Sequence, residues 1–319
     1  MRDPLLWHAD DPDVRAVRMD FDAGILRIAP ALVEPAKQLM QRLARPNWTM
    51  EWYLPRWLGE AMGVPPAAWR SLMLSNVYGL GYVRLQDDLS DGDVSELTGD
   101  ALPPLSTALY ALWMDEYLAQ FGDEPAFWDR FRCYLSQWIE ATLGNDGPAS
   151  VTLTPLSAES RARLAHRGAP LKICCAGLGI LAGRREAIDE LEKAIDHLLA
   201  AAVLLDHAAD WVSDLDAGRY NAFVGFASPL PQDAAHREVN RQRVREELYL
   251  GAAARPYYET VRDEIRAADQ IALAIGCEGL QTFLAWLDAE TVTASQQLAA
   301  AVREQLHAAA AELFGVNNL

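Results

Sequence analysis

Six aspartates in two short runs carry the strongest chemical signal in this 319-residue chain. Asp87, Asp88 and Asp91 lie in LQDDLSDGD, with Asp93 just beyond, and Asp206, Asp210 and Asp214 lie in LLDHAADWVSDLDAGRYNAF. Residues four apart share a helix face, so Asp206, Asp210 and Asp214 stack on successive turns, as do Asp87 and Asp91. Like charges at that spacing repel by a few tenths of a kcal/mol per pair, and no lysine is interleaved to offset them. Carboxylates crowded on an inward face stay ionised only when cations compensate them. An all-oxygen set without Cys or His at ligand spacing selects a hard cation, and Mg²⁺ commonly bridges a few protein carboxylates to the phosphates of a substrate. The chemistry implied is metal-assisted handling of a small phosphorylated molecule.

The elements that must position these residues read as helices. Met73, Val77 and Leu80 form one apolar stripe that continues through Arg84 to Asp87 and Asp91. Leu191, Ile195, Leu199 and Ala202 form another that runs into Asp206, Asp210 and Asp214, with His207 turned off it as a satisfied surface or outer-sphere histidine. The alternative is a pair of solvated acidic faces. Elsewhere, too, the period is 3.6 residues with almost no strict alternation, and Gly and Pro fall between the periodic stretches. The spacing predicts an all-α chain forming a single domain over 1–319, with helices near 32–44, 66–91, 104–120, 124–143, 157–167, 170–182, 184–216, 233–251, 253–275, 278–288 and 290–313. Ser157 and Pro125 mark two of the starts. No strand precedes Gly177, Gly179 and Gly183 of AGLGILAG, which excludes a dinucleotide loop and predicts a helix break or a close helix approach.

Composition narrows the partners. Forty-five acidic against 28 basic residues give a formal charge of −17, which opposes binding to nucleic acid and to anionic membrane surfaces. A hydrophobic fraction of 51% is enough for a sizeable core. No run reaches the ~18 uninterrupted apolar residues of a membrane span, and the first residues lack a basic and then apolar leader pattern, so a soluble, cytoplasmic protein is expected. Cys133, Cys174, Cys175 and Cys277 show no CxxC or disulfide-like spacing and are expected as buried thiols, and the sequon at Asn47 has no secretory context.

DDLSD, Asp87 to Asp91, resembles the DDxxD motif of class I isoprenoid enzymes, and Asp206-x-x-x-Asp210-x-x-x-Asp214-x-x-x-Gly218 resembles their second metal motif. The order, the separation and the helical settings agree with that superfamily across about 66–226. The resemblance implies an α-helical barrel of the class I terpene synthase type with the two motifs facing each other across an apolar cavity. It further implies that Asp87, Asp88, Asp91, Asp206, Asp210 and Asp214 hold Mg²⁺, as a trinuclear cluster with a substrate diphosphate, whose departure leaves an allylic carbocation. It also allows a homodimer.

Within the superfamily, 127–173 is most similar to terpene cyclases, which implies farnesyl or geranylgeranyl diphosphate as substrate and Arg167 as the diphosphate-sensing cation, with Lys172 and Arg163 as companions. Squalene and phytoene synthases are similar at Asp210, Asp214, Gly218, Arg219 and Tyr220, which would bring Arg219 and Tyr220 to the diphosphate. Chain-elongating enzymes are similar over 180–210 but carry paired arginines where this chain reads GDVSELTGD. The cyclase pattern is departed from at Asp210, usually Ser or Thr, and at Asp214, usually Glu. A catalytically silent binder of prenyl diphosphates is the reading from another class. Tyr78, Trp113, Phe131, Tyr134, Trp138 and Trp211 are candidate cavity aromatics whose ring faces could stabilise a carbocation, or plain core. Arg237, Arg241 and Arg245 read as a solvated face paired with Glu238, Glu246 and Glu247, or as a lid over the diphosphate.

Overall fold

Asp11 opens the first helix in the computed structural model, its carboxylate accepting from the Asp13 and Val14 amides at 2.8 and 3.3 Å while Pro12 takes the first helical position. The structure describes residues 11–45, 48–91, 99–143, 156–249 and 254–314. All regular elements among them are helical: α1 (Pro12–Ile28), α2 (Val33–Leu43), α3 (Thr49–Met62), α4 (Pro66–Asp91), α5 (Leu102–Phe121), α6 (Pro125–Leu143), α7 (Ala158–Ala165), α8 (Ile173–Leu181), α9 (Ile188–Ala217), α10 (Ala222–Ala227), α11 (Arg237–Tyr249), α12 (Ala254–Ala274) and α13 (Glu278–Phe314). The all-α expectation holds, and none of these helices is long and apolar enough to cross a membrane.

Three helices go beyond the sequence reading. The buried stripe of α1 is narrow, Val14, Val17, Phe21 and Ile25, and charged residues crowd both sides of it. In α3 almost every position from Trp52 to Leu58 is buried, so no period shows, and Pro55 stands inside it. The short α10 rests on a cap by Asn221. Conversely, 278–288 and 290–313 are one continuous helix, and 170–182 is a 3₁₀ segment to Lys172 followed by α8. Ser157 caps α7 by accepting from the Ser160 amide at 3.2 Å.

The chain divides into two compact units. One comprises Met1–Tyr134, Pro170–Glu192 and Ile271–Phe283, and the other comprises Leu135–Ala169, Lys193–Gln270 and Leu284–Leu319. In the first, α4 packs on α1, α2, α3, α5 and α8. Trp113, Tyr117, Phe121, Phe127 and Phe131 from α5 and α6 form its aromatic core, with Phe121 stacked on Phe127 at 4.0 Å. The expected close approach at AGLGILAG is present: a Cβ on Gly177 would lie 2.9 Å from the Phe121 ring and one on Gly179 2.3 Å from Ile188, while Gly183 ends the segment at φ +67°. In the second, α10 and α11 pack together after the turn that closes α9. None of the four cysteines is in a disulfide, but Cys133 is exposed, contrary to the burial expected for it, because it lies on the outer face of α6.

Candidate functional site

The first aspartate motif closes α4. Asp88 is 5% exposed, and both its oxygens are taken by the guanidinium fork of Arg42 from α2, at 2.6 and 3.0 Å. Arg84, one turn earlier on α4, stands 3.5 Å from Asp88 and 3.6 Å from Asp87. Planar bidentate pairing fixes a carboxylate in direction as well as charge, so Asp88 is committed to protein, whereas Asp87 keeps a third of its side-chain surface accessible. Asp91 ends the helix, and its side chain, like Asp93 and Asn47, lies outside the described residues.

The second motif ends in a turn that the sequence pattern alone does not reveal. Gly218, at φ +71°, terminates α9; its amide bonds to the Leu215 carbonyl and the Arg219 amide to that of Asp214 at 2.8 Å, a Schellman closure that only a residue without Cβ adopts without strain. The reversed chain lays Arg219 and Asn221 back on the helix. Arg219 donates to Asp214 Oδ1 at 3.2 Å, and the wholly buried Asn221 donates to Asp214 Oδ2 and to the His207 carbonyl, each at 2.8 Å. Asn221 Oδ1 meanwhile caps α10 through the amides of Phe223 and Val224, and Gln232 brackets its backbone on both sides. The Asp214 carboxylate is thereby aimed by two donors, one on each oxygen.

His207 was expected off the inward stripe and the aspartates on it; the structure reverses this. The buried line of α9 runs Leu191, Ile195, Leu198, Leu204, His207 and Leu215, while Asp206 and Asp210 are exposed and Asp214 is half-buried. The physical reason is that Leu198 to Ala201 are all buried, so the helix pattern is compatible with two frames one residue apart, and only the neighbouring helices select between them. His207 Nδ1 accepts from the Ala222 amide at 3.0 Å, which places the proton on Nε2, an atom with no partner among the described residues. Burial first, then the nearby charge of Arg167, push this imidazole down to about 4, so it is neutral at physiological pH.

The expected diphosphate ligands are placed unequally. Arg167 is exposed in the 3₁₀ segment, and no carboxylate pairs with it among the described residues. Arg219 is engaged by Asp214, and the half-buried Tyr220 pairs its hydroxyl with Ser160. Lys172 is 2% exposed with its ammonium 5.0 Å from the centre of the Tyr134 ring. Arg163 pairs with Glu159 on its own helix. Among the aromatics, Tyr78, Trp113, Phe131, Tyr134 and Trp138 are all buried, and Trp211 is half-buried. Tyr78 is stacked on Phe21 at 5.2 Å, and Tyr134 donates to Glu192, which also receives Arg130. Arg241 is tied to Asp216 and Glu238, and Arg245 is exposed.

Sequence reasoning passed over Arg42, Asn221 and Glu51. Only for Asn221 was there a signal, since Asn before an apolar run is a helix-start signature. Glu51, in the first turn of α3, has its Oε2 enclosed without a partner among the described residues, and burial pushes its carboxyl up to about 7. The folded state then holds a proton that the unfolded chain releases near 4.5. Stability linked to this group is therefore full below pH 4.5 and is lost as pH rises towards 7. Glu51→Gln, which cannot ionise, is expected to be more stable than the parent by roughly 2–3 kcal/mol at pH 8, with the gap closing in acid. Denaturant midpoints at pH 5 and pH 8 measure it; a gap that does not change with pH refutes it.

The donor chemistry fits a hard divalent cation. Asp87, Asp206 and Asp210 are oxygen donors with accessible surface, and Asp214 is held ready beside them in sequence. Among the described residues no three His, Cys, Asp or Glu side chains converge as a metal-binding group; a Mg²⁺ site that takes one or two carboxylates and completes its shell with phosphate oxygens and water does not require such convergence. No protein-family model, curated protein or solved structure matches this chain. The resemblance to class I isoprenoid enzymes therefore stands on the two motifs and their settings.

Proposed function

We propose that this chain is a Mg²⁺-dependent class I terpene cyclase, with the helical fold of that type, which ionises a linear prenyl diphosphate and closes the resulting carbocation to a cyclic hydrocarbon or alcohol. Farnesyl diphosphate is the preferred substrate and geranylgeranyl diphosphate the next. The observation that carries the reading is the turn after α9, where Gly218, Arg219 and Asn221 fold back to orient Asp214 while Asp206 and Asp210 stay accessible one and two turns earlier. A solvated acidic face has no use for a buried amide that aims one of its carboxylates.

In this reading Asp87, Asp91, Asp206, Asp210 and Asp214 are the metal-holding residues, and Asp88 stiffens the first motif through Arg42. Bound Mg²⁺ supplies neutralisation of the leaving diphosphate. Arg167, exposed and without a carboxylate partner among the described residues, is a protein cation placed to meet an anionic substrate directly. Aromatic faces of the interior serve the cation by their quadrupoles.

The test is product analysis by gas chromatography after incubation with geranyl, farnesyl and geranylgeranyl diphosphates. Cyclic product and released diphosphate are expected with Mg²⁺ and neither after chelation. The Gly218-Arg219-Tyr220 turn also favours a squalene or phytoene synthase type of prenyltransferase, and an extract holding only a longer or head-to-head-joined product would establish that instead. Binding without turnover would leave the silent binder.

A further inference from the structure

Pro55 has no amide hydrogen, so the Glu51 carbonyl, four residues earlier in α3, lacks its helical partner. Asn76 of α4 supplies the missing donor, its Nδ2 lying 3.2 Å from that oxygen. This side-chain bond holds the first turn of α3 against α4 and places the Glu51 carboxyl beside it. Glu51 has one carboxyl oxygen enclosed and without a partner among the described residues, yet the residue as a whole is only half-buried, so part of it reaches accessible surface.

The same face of α4 leads from there to the first aspartate motif. Beyond Asn76, the half-buried residues Leu80, Arg84 and Asp87 follow at helical spacing, while Met73 and Val77 on the adjoining stripe are fully buried. From Asn76 to Asp87 the helix rises about 16 Å at 1.5 Å per residue, comparable to an extended farnesyl chain. A carboxyl without a counter-cation among the described residues therefore stands at one end of a half-buried stripe whose other end carries Asp87 of the first aspartate motif. Natural cores rarely leave a carboxyl oxygen without a partner, and such groups concentrate where proton transfer is the task.

We propose that Glu51 is the catalytic base that ends the reaction by removing a proton from the cyclised carbocation, an assignment that rests on the cyclase reading above. The C–H bond next to the cationic carbon breaks, its electron pair becomes the new C=C bond, and the proton passes to a Glu51 carboxylate oxygen, which later returns it to water. Burial, offset in part by a hydrogen bond from the residue's own amide, pushes this carboxyl up to about 7, where an appreciable fraction is ionised under working conditions. Diphosphate departure does not involve Glu51, so ionisation and proton removal are separable.

Glu51→Gln keeps the size of the side chain and removes the base, and Glu51→Asp keeps a carboxylate on a shorter stem. With farnesyl diphosphate and Mg²⁺, diphosphate release by Glu51→Gln is expected to stay within about threefold of the parent, while the olefin fraction of its products falls on the order of tenfold and water-quenched alcohols rise. Glu51→Asp is expected to restore part of the olefin. An olefin fraction in Glu51→Gln equal to the parent's overturns the assignment and leaves the cyclase reading intact. A folded Glu51→Gln that no longer releases diphosphate overturns it as well, because the residue would then act in ionisation. A parent protein that ionises none of the three prenyl diphosphates removes the cyclase reading and this assignment with it.

Discussion

Asn221→Ala is expected to lower the free energy of unfolding by about 3–5 kcal/mol, among the largest losses a single side chain produces. The side chain is wholly buried and fully used: Oδ1 accepts from two amides that begin α10, and Nδ2 donates to Asp214 and to the His207 carbonyl. Loss of the cap alone costs ~1 kcal/mol. The remainder comes from buried groups left without partners, each costing ~1–3 kcal/mol. Asn221→Asp separates the contributions. It keeps the cap but sets a second carboxylate against Asp214 across a 2.8 Å contact that now holds an amide hydrogen, so its loss is expected to be similar near neutrality and to shrink in acid as one carboxyl takes up a proton. Chemical denaturation at two pH values reads both variants. A loss for Asn221→Ala under about 1 kcal/mol would mean that the turn does not depend on this hub.

Arg42→Ala is expected to cost about 3–5 kcal/mol, because it strands the carboxylate of Asp88 in an interior that only paired charges tolerate. Arg84, 3.5 Å away, offsets part of this but is shared with Asp87. The informative experiment is a double-mutant cycle with Asp88→Asn. The double variant is expected to be more stable than Arg42→Ala alone, since the neutral amide no longer needs a counter-ion, with a coupling of about 2 kcal/mol. Additive losses would show that the fork carries no energy beyond its packing. Under the proposed function both clamps serve to aim carboxylates, so a folded variant of either is expected to need more Mg²⁺ for half-maximal turnover.

The difference between what was legible and what was not follows physical lines. The helix bearing DDLSD and the one bearing Asp206, Asp210 and Asp214 were readable because each is long and its apolar positions recur at 3.6 residues. Helix α3 was not, because it is buried on nearly every side and interrupted by Pro55. The charge of the aspartates was visible, but not which of them is engaged. Asp88 looks identical to Asp87 in the sequence, and only Arg42, 46 residues earlier, distinguishes them. The aromatic positions 113, 131 and 134 carried no indication of whether they would meet each other or open space, since ring packing depends on how α5 and α6 cross.

By itself, then, the sequence determined the all-α class, the acidic net charge and the presence of two aspartate runs on long helices, because all of these depend on residue type and local period. Only the tertiary structure decided that His207 rather than Asp206 faces inward on α9, that Asn221 and Arg42 aim the carboxylates at 214 and 88, and that Glu51 has one carboxyl oxygen enclosed while its carbonyl is held by Asn76 of α4. Each of these depends on a partner far along the chain. A period of 3.6 residues names the faces of a helix but not the neighbour that covers each one, and burial, pairing and the ionisation of a carboxyl all follow from that neighbour.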